Sequence, residues 1–117
     1  MEYKYGYFNS SQIKEMKDSI RKQIFFLLLL ADPETKDNYP EVDILEAFNG
    51  VMYKIDGMNS LFLYPEEIVE IQSLLEEGRI QLQKEEFNFE IYRKLILDAG
   101  AKVLNIKEVW YAFFKKL

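Results

Sequence analysis

Cysteine and histidine are both missing from this chain. Without cysteine there are no disulfides, no thiolate nucleophile and no Cys-ligated zinc or iron–sulfur centre. Without histidine the commonest general base is gone, together with Ser–His and Cys–His catalytic pairs and imidazole metal ligands. Any chemistry would fall to carboxylates, Lys, Tyr or backbone groups, and neither a metal nor a cofactor is expected. Glycine and proline are scarce, at five and three residues. The glycines at 6, 50, 57, 78 and 100 stand alone, so no phosphate-cradling loop or nucleophile elbow is present.

Long apolar runs are lacking too. The longest, "IFFLLLLA" at 24–31, is eight residues, where roughly 20 are needed to cross a bilayer. It follows a mixed-charge segment and precedes "DPETKD" with no small-x-small cleavage pattern, which is unlike a signal peptide. A soluble, cytoplasmic protein with no membrane partner is therefore expected. A net charge of −5 disfavours general attraction to phosphate backbones or anionic lipid, so nucleic acid is not the expected ligand.

What is present suits one folded domain. In 117 residues, 49 % are hydrophobic and 15 % aromatic, enough to fill one core and unlike a disordered chain. Most of the chain carries helical periodicity. An extended N-terminal arm occupies 1–9, where Tyr3, Tyr5 and Tyr7 alternate in strand period. A single helical-bundle domain is expected over 10–117.

The first helix, capped by Asn9 or Ser10, should run to about Ala31 on the stripe Ile13, Met16, Ile20, Ile24 and Leu27. Its opposite face turns apolar at Phe25, Phe26 and Leu29, so its last two turns should be enclosed all round. Pro33 ends it, and Pro40 is read as starting a second helix from about Glu41 to Asn59. That helix carries Ile44, Phe48, Val51, Ile55 and Met58. Pro65 fits the first position of a third helix reaching about Lys84, with Ile68, Ile71, Leu75 and Leu82 inward. Asn88 caps the last, whose stripe of Tyr92, Leu95, Ala99, Val103, Ile106, Trp110, Phe113 and Leu117 predicts a long helix of about 45 Å at 1.5 Å per residue. Short connections make neighbours mostly antiparallel. The expected fold is all-α, a four-helix bundle with a Tyr-rich extended arm and a long C-terminal helix.

Surplus apolar residues are the strongest functional signal. Leu97, Leu104 and Tyr111 form a second line, spaced by seven, away from the main stripe of the last helix. Val69 and Ile80 on the third helix also lie outside its core set. Apolar lines left over after one buried stripe per helix mark a contact with another molecule. Tyr3, Tyr5 and Tyr7 either fold back over the bundle and cover gaps in its core or, with Trp110, Tyr111 and Phe114, serve as the aromatic residues favoured at interfaces. Glu66, Glu70 and Glu77 form an acidic face suited to a basic, nucleic-acid-binding protein as target. Lys14, Lys17 and Arg21 share one side of the first helix but have Glu15 and Asp18 among them.

The leading expectation is a non-enzymatic helical interaction module, an adaptor, inhibitor or immunity-type factor. It would form a homodimer and bind a protein partner through aromatic and acidic surfaces. The alternative is a carboxylate–Mg²⁺ nucleotide hydrolase using Glu67 and Glu70. Glu67-x-x-Glu70 is half of the pattern that magnesium-dependent all-α nucleotide pyrophosphatases require. The next helix offers Glu90-x-x-Arg93, with a cation where the fourth acid should stand.

Overall fold

The computed structural model describes residues 2–3, 6–7, 10–61 and 66–106. Four helices carry the fold: α1 (Ser10–Leu29), α2 (Ile44–Leu61), α3 (Glu66–Leu82) and α4 (Phe89–Leu104). Each packs against two others, α1 on α2 and α4, α3 on α2 and α4, which closes a ring around one core. None of the described helices is long and apolar enough to cross a membrane. At the start of the chain, Glu2–Tyr3 (β1) pairs antiparallel with Gly6–Tyr7 (β2). Both short strands fall within the segment read from the sequence as an extended arm. Paired backbone groups satisfy each other, as a lone strand's cannot.

The core is largely the set the periodicity picks out, but Leu95 of the expected stripe is only half-buried and is not among the core residues. Ile20, Ile24 and Leu27 of α1 meet Phe48, Val51 and Ile55 of α2, Ile68, Ile71 and Leu75 of α3, and Tyr92, Ala99 and Val103 of α4. Ile96, absent from the expected stripe, is buried with them. Gly78 is buried because α3 lies close to its neighbours there. A Cβ at this position would stand 3.2 Å from Ile96 Cδ1 and 3.7 Å from Phe48 Cζ.

Gly50 is the opposite case, with nothing within 4 Å of its would-be Cβ on an exposed turn of α2. Gly50→Ala should stabilise by about 0.5–1 kcal/mol through helix propensity alone. Gly78→Val should destabilise by about 1–3 kcal/mol through overpacking. Urea midpoints of the two variants are expected to move in opposite directions.

Helix ends differ from expectation at two places. Val42 N–H bonds to Tyr39 C=O in a turn, and α2 starts only at Ile44, three residues after the expected start. Asp43 is its cap, since Oδ1 accepts from Leu45 N at 2.9 Å and Glu46 N at 3.3 Å. Asp and Asn are favoured there because the side chain satisfies orphan N–H groups. Helix α4, expected to run unbroken to Leu117, stops at Leu104 after 16 residues, about 24 Å. It passes through Gly100 as the periodicity implies, but its ladder then tightens. Asn105 N bonds to Lys102 O at 3.1 Å and Ile106 N to Val103 O at 3.3 Å, an i−3 pattern that closes helices. Lys17 Nζ donates to Ile106 O at 2.6 Å and holds this end on α1. The Asn88 cap is as expected, accepting from Glu90 N and Ile91 N. The expected roles of Asn9, Pro65, Trp110, Phe113 and Leu117 lie outside the described residues.

The apolar end of α1 is enclosed chiefly on one side. Leu27, Leu28 and Leu30 are buried, and Phe26 meets Tyr39 edge-on at 4.9 Å. Each of the last four helix carbonyls has a partner, as a buried helix end requires. Phe26 O accepts from Leu30 N, and Leu28 O from Ala31 N and Asp32 N. Leu29 O accepts from Thr35 Oγ1 at 2.7 Å, and Leu27 O from the Tyr92 hydroxyl at 2.5 Å. Phe25 breaks the expectation of full enclosure, because it faces outward beside α4.

Burial pushes the Tyr92 hydroxyl well above its ordinary value of about 10. Above that pH the unfolded chain releases this proton while the folded chain keeps it. The raised folded pKa therefore contributes nothing to pH dependence below about 10 and lowers stability as pH rises beyond it. In urea titrations, the advantage of the native chain over Tyr92→Phe should be constant from neutral pH to pH 9. It should then shrink by up to about 1.4 kcal/mol per pH unit.

Candidate functional site

Among the described residues, apolar grooves open on the outside of the ring at three helix seams. The first lies between α1 and α4 and has a volume of about 190 Å³. Helical spacing brings Leu97, Gly100, Ala101 and Leu104 to one face of α4, and Phe25 and Arg21 approach from α1. The large side chains remain exposed, Phe25 at 50 %, Leu97 at 38 % and Leu104 at 49 %. A Cβ on Gly100 would sit 4.0 Å from Ile24 Cγ2, so the two helices nearly touch at the floor. Arg93 and Lys94, both exposed, stand four and three residues before Leu97 on the same side of α4.

The second groove, about 540 Å³, lies between α2 and α3. Met52, Ile68 and Val69 supply its apolar surface, and Asp56, Glu76 and Glu77 its rim. Val69 is 54 % exposed and Tyr53, on the same helix as Met52, is 81 % exposed. Gln72 crosses the groove and donates through Nε2 to Met52 O at 2.9 Å and Asp56 Oδ1 at 2.8 Å. Its Oε1 is buried and has no partner among the described residues. Glu76 is held by Arg79, which also donates to Asn49. A third cleft, between α1 and α2, is bridged by Lys54 Nζ donating to Gln23 Oε1 at 2.8 Å.

The structure thus joins Leu97 and Leu104 in one groove and adds Phe25, which the sequence placed in the enclosed end of α1. Tyr53 lies outside the residues picked out by the sequence, although Asn49, Asp56 and Gly57 around it on the helix mark a solvated face. Glu66, Glu70 and Glu77 are exposed on α3 as expected. Glu70 is not free, since its carboxylate pairs with Lys102 Nζ at 2.9 Å. That pairing takes one member of Glu67-x-x-Glu70, and no group of three or more acidic side chains among the described residues is placed to hold a metal ion. Lys17, one of the three cations on α1, serves the end of α4. Tyr3 lies in β1 and Tyr7 in β2. Tyr5, Trp110, Tyr111 and Phe114 lie outside the described residues.

Fold and surface together define a small helical protein with apolar grooves on its outside. Over 101 residues, 85 % of its length, the chain is 32 % identical to the UPF0039 protein C11D3.02c of Schizosaccharomyces pombe. It spans 63 % of that protein, under two thirds, and the relative's name states no activity. No family model matches the chain, and no solved structure matches it.

Proposed function

We propose that the chain is a non-enzymatic helical interaction module, of the adaptor, inhibitor or immunity type, that self-associates and binds a protein partner. In this reading it is a bundle of antiparallel neighbours, and α1 and α4 present the self-association face. One observation carries it: Phe25, Leu97 and Leu104 stay exposed around a single groove. Scattered exposed Leu needs no explanation, but large apolar side chains converging on one cleft fit an interface core. Arg21, Arg93 and Lys94 would form its polar rim. Tyr3, Tyr5, Tyr7, Trp110, Tyr111 and Phe114 complete the proposed protein-binding set. Glu66 and Glu77, with Glu70 in its ion pair, supply an acidic face for a basic partner. Such an electrostatic contact would be weakened by salt.

Light scattering on a size-exclusion column over a wide dilution series tests the reading. A mass near twice the 14.0 kDa chain, falling to the single chain on dilution, is expected. A single-chain mass at every concentration contradicts self-association.

A further inference from the structure

The cleft between α1 and α2 has a volume of about 490 Å³, within the range of roughly 300–1,000 Å³ usual for small-molecule sites. Its floor is apolar, built by Phe26 and Leu27 of α1 and by Ala47, Gly50 and Val51 of α2. Among the described residues, the charged side chains lining it are two lysines, Lys22 and Lys54. We infer that this cleft binds a small amphipathic anion, an apolar chain bearing one carboxylate.

Local charge decides the sign of the ligand. The chain carries −5 overall, yet no acid lines this cleft, whereas Asp56, Glu76 and Glu77 line the one between α2 and α3. Lys54 is aimed across the cleft by Gln23, whose Oε1 accepts from Nζ at 2.8 Å. Glutamine is a neutral acceptor, so the ammonium is held in place while its charge stays uncompensated. Lys22 is exposed and has no hydrogen-bond or ion-pair partner among the described residues. A carboxylate at this mouth gains charge-assisted hydrogen bonds, and its chain leaves water as it covers the floor.

Gly50 makes room for that chain. Glycine weakens a helix interior relative to alanine, and nothing stands within 4 Å of a Cβ built there. The opposite wall is set in advance, because Phe26 is held edge-on against Tyr39 at 4.9 Å. The groove between α1 and α4 also joins apolar side chains to a cation, Arg21, but its volume of about 190 Å³ falls below the usual range. The inference goes beyond the interaction-module reading and does not rest on it.

Titration calorimetry of the full chain with dodecanoate, kept below its micelle concentration, tests the site. Saturable binding of one dodecanoate per chain is expected. Dodecyltrimethylammonium, with a similar tail and the opposite charge, should bind about tenfold more weakly or worse. Gly50→Leu fills open space in the cleft and should weaken dodecanoate by about tenfold or more, with far-UV helix content unchanged or raised. Lys22→Glu with Lys54→Glu, two exposed substitutions, should reverse the preference between the two amphiphiles. Leu97→Glu with Leu104→Glu, which alters the other groove, should leave dodecanoate binding as it is. Absence of saturable binding, or equal affinity for both amphiphiles, would overturn the inference. So would native affinity in Gly50→Leu, or an unchanged preference in the lysine variant. Loss confined to Leu97→Glu/Leu104→Glu would place the ligand in the α1–α4 groove and overturn it too. None of these readouts depends on the molecular mass that tests self-association, so either idea can fail alone.

Discussion

Tyr92→Ala is expected to cost about 3–5 kcal/mol, as for removal of a large aromatic side chain from a core. That is a large share of the 5–15 kcal/mol typical of a whole domain. The ring is fully buried and sits among Phe48, Phe87 and Phe89, with centroids 6.2, 5.6 and 6.3 Å away. Its hydroxyl also closes the end of α1 by donating to Leu27 O across 65 residues of sequence. Two effects are thus combined in one side chain, and Tyr92→Phe separates them. The phenylalanine variant keeps the ring contacts but leaves Leu27 O without its donor at an apolar helix end, at about 1–3 kcal/mol. Urea unfolding followed by far-UV circular dichroism should rank native above Tyr92→Phe above Tyr92→Ala. Equal midpoints for native and Tyr92→Phe would mean that the hydrogen bond contributes no net stability.

The second large effect concerns association. Leu97→Glu combined with Leu104→Glu places two carboxylates in the apolar centre of the proposed α1–α4 interface. Both positions are exposed in the single chain, so folding should be nearly unaffected; surface changes usually stay within about 0.5 kcal/mol. In an associated state the carboxylates would be desolvated, and each protomer would carry both. At about 2 kcal/mol for each of the two central interface positions and 1.4 kcal/mol per tenfold, the dissociation constant should rise by roughly 700-fold or more. Sedimentation equilibrium on the double variant should show a single chain at concentrations where the native protein is associated. Unchanged association together with an unchanged urea midpoint would place the interface elsewhere.

Much of the helix arrangement was legible because side-chain periodicity is a local property. The stripes through Ile20, Phe48, Ile71 and Tyr92 are read directly from spacing, and Asn88 announces its cap by residue type. The start of α2 was less legible because two signals compete within four residues. Pro40 suits a first helical turn, but Asp43 can accept from two amides, and the chain uses the aspartate. At α4 the apolar period runs on past Leu104, while the ladder closes at Asn105. Periodicity records which face would be buried, not whether backbone hydrogen bonding continues.

The candidate sites were legible only in part, for a different reason. Leu97 and Leu104 stand out through their spacing on one helix. Phe25 joins them only because α1 and α4 pack side by side, and no local pattern carries that pairing. Likewise, Glu70 reads as one of a row of acids until α4 brings Lys102 beside it. The enclosed look of "IFFLLLLAD" is explained on one side by Tyr92 and Thr35, which cap its carbonyls. On the other side Phe25 is left facing the groove.

Hydroxyl-radical footprinting of the native chain, across the dilution series over which its mass is expected to change, tests the proposed interaction face most directly. The expected result is that Phe25, Leu97 and Leu104 become protected on association, while Tyr53 on α2 is labelled equally in both states. Protection of Tyr53 with Phe25, Leu97 and Leu104 unchanged would contradict the assignment of the α1–α4 groove as the interaction surface.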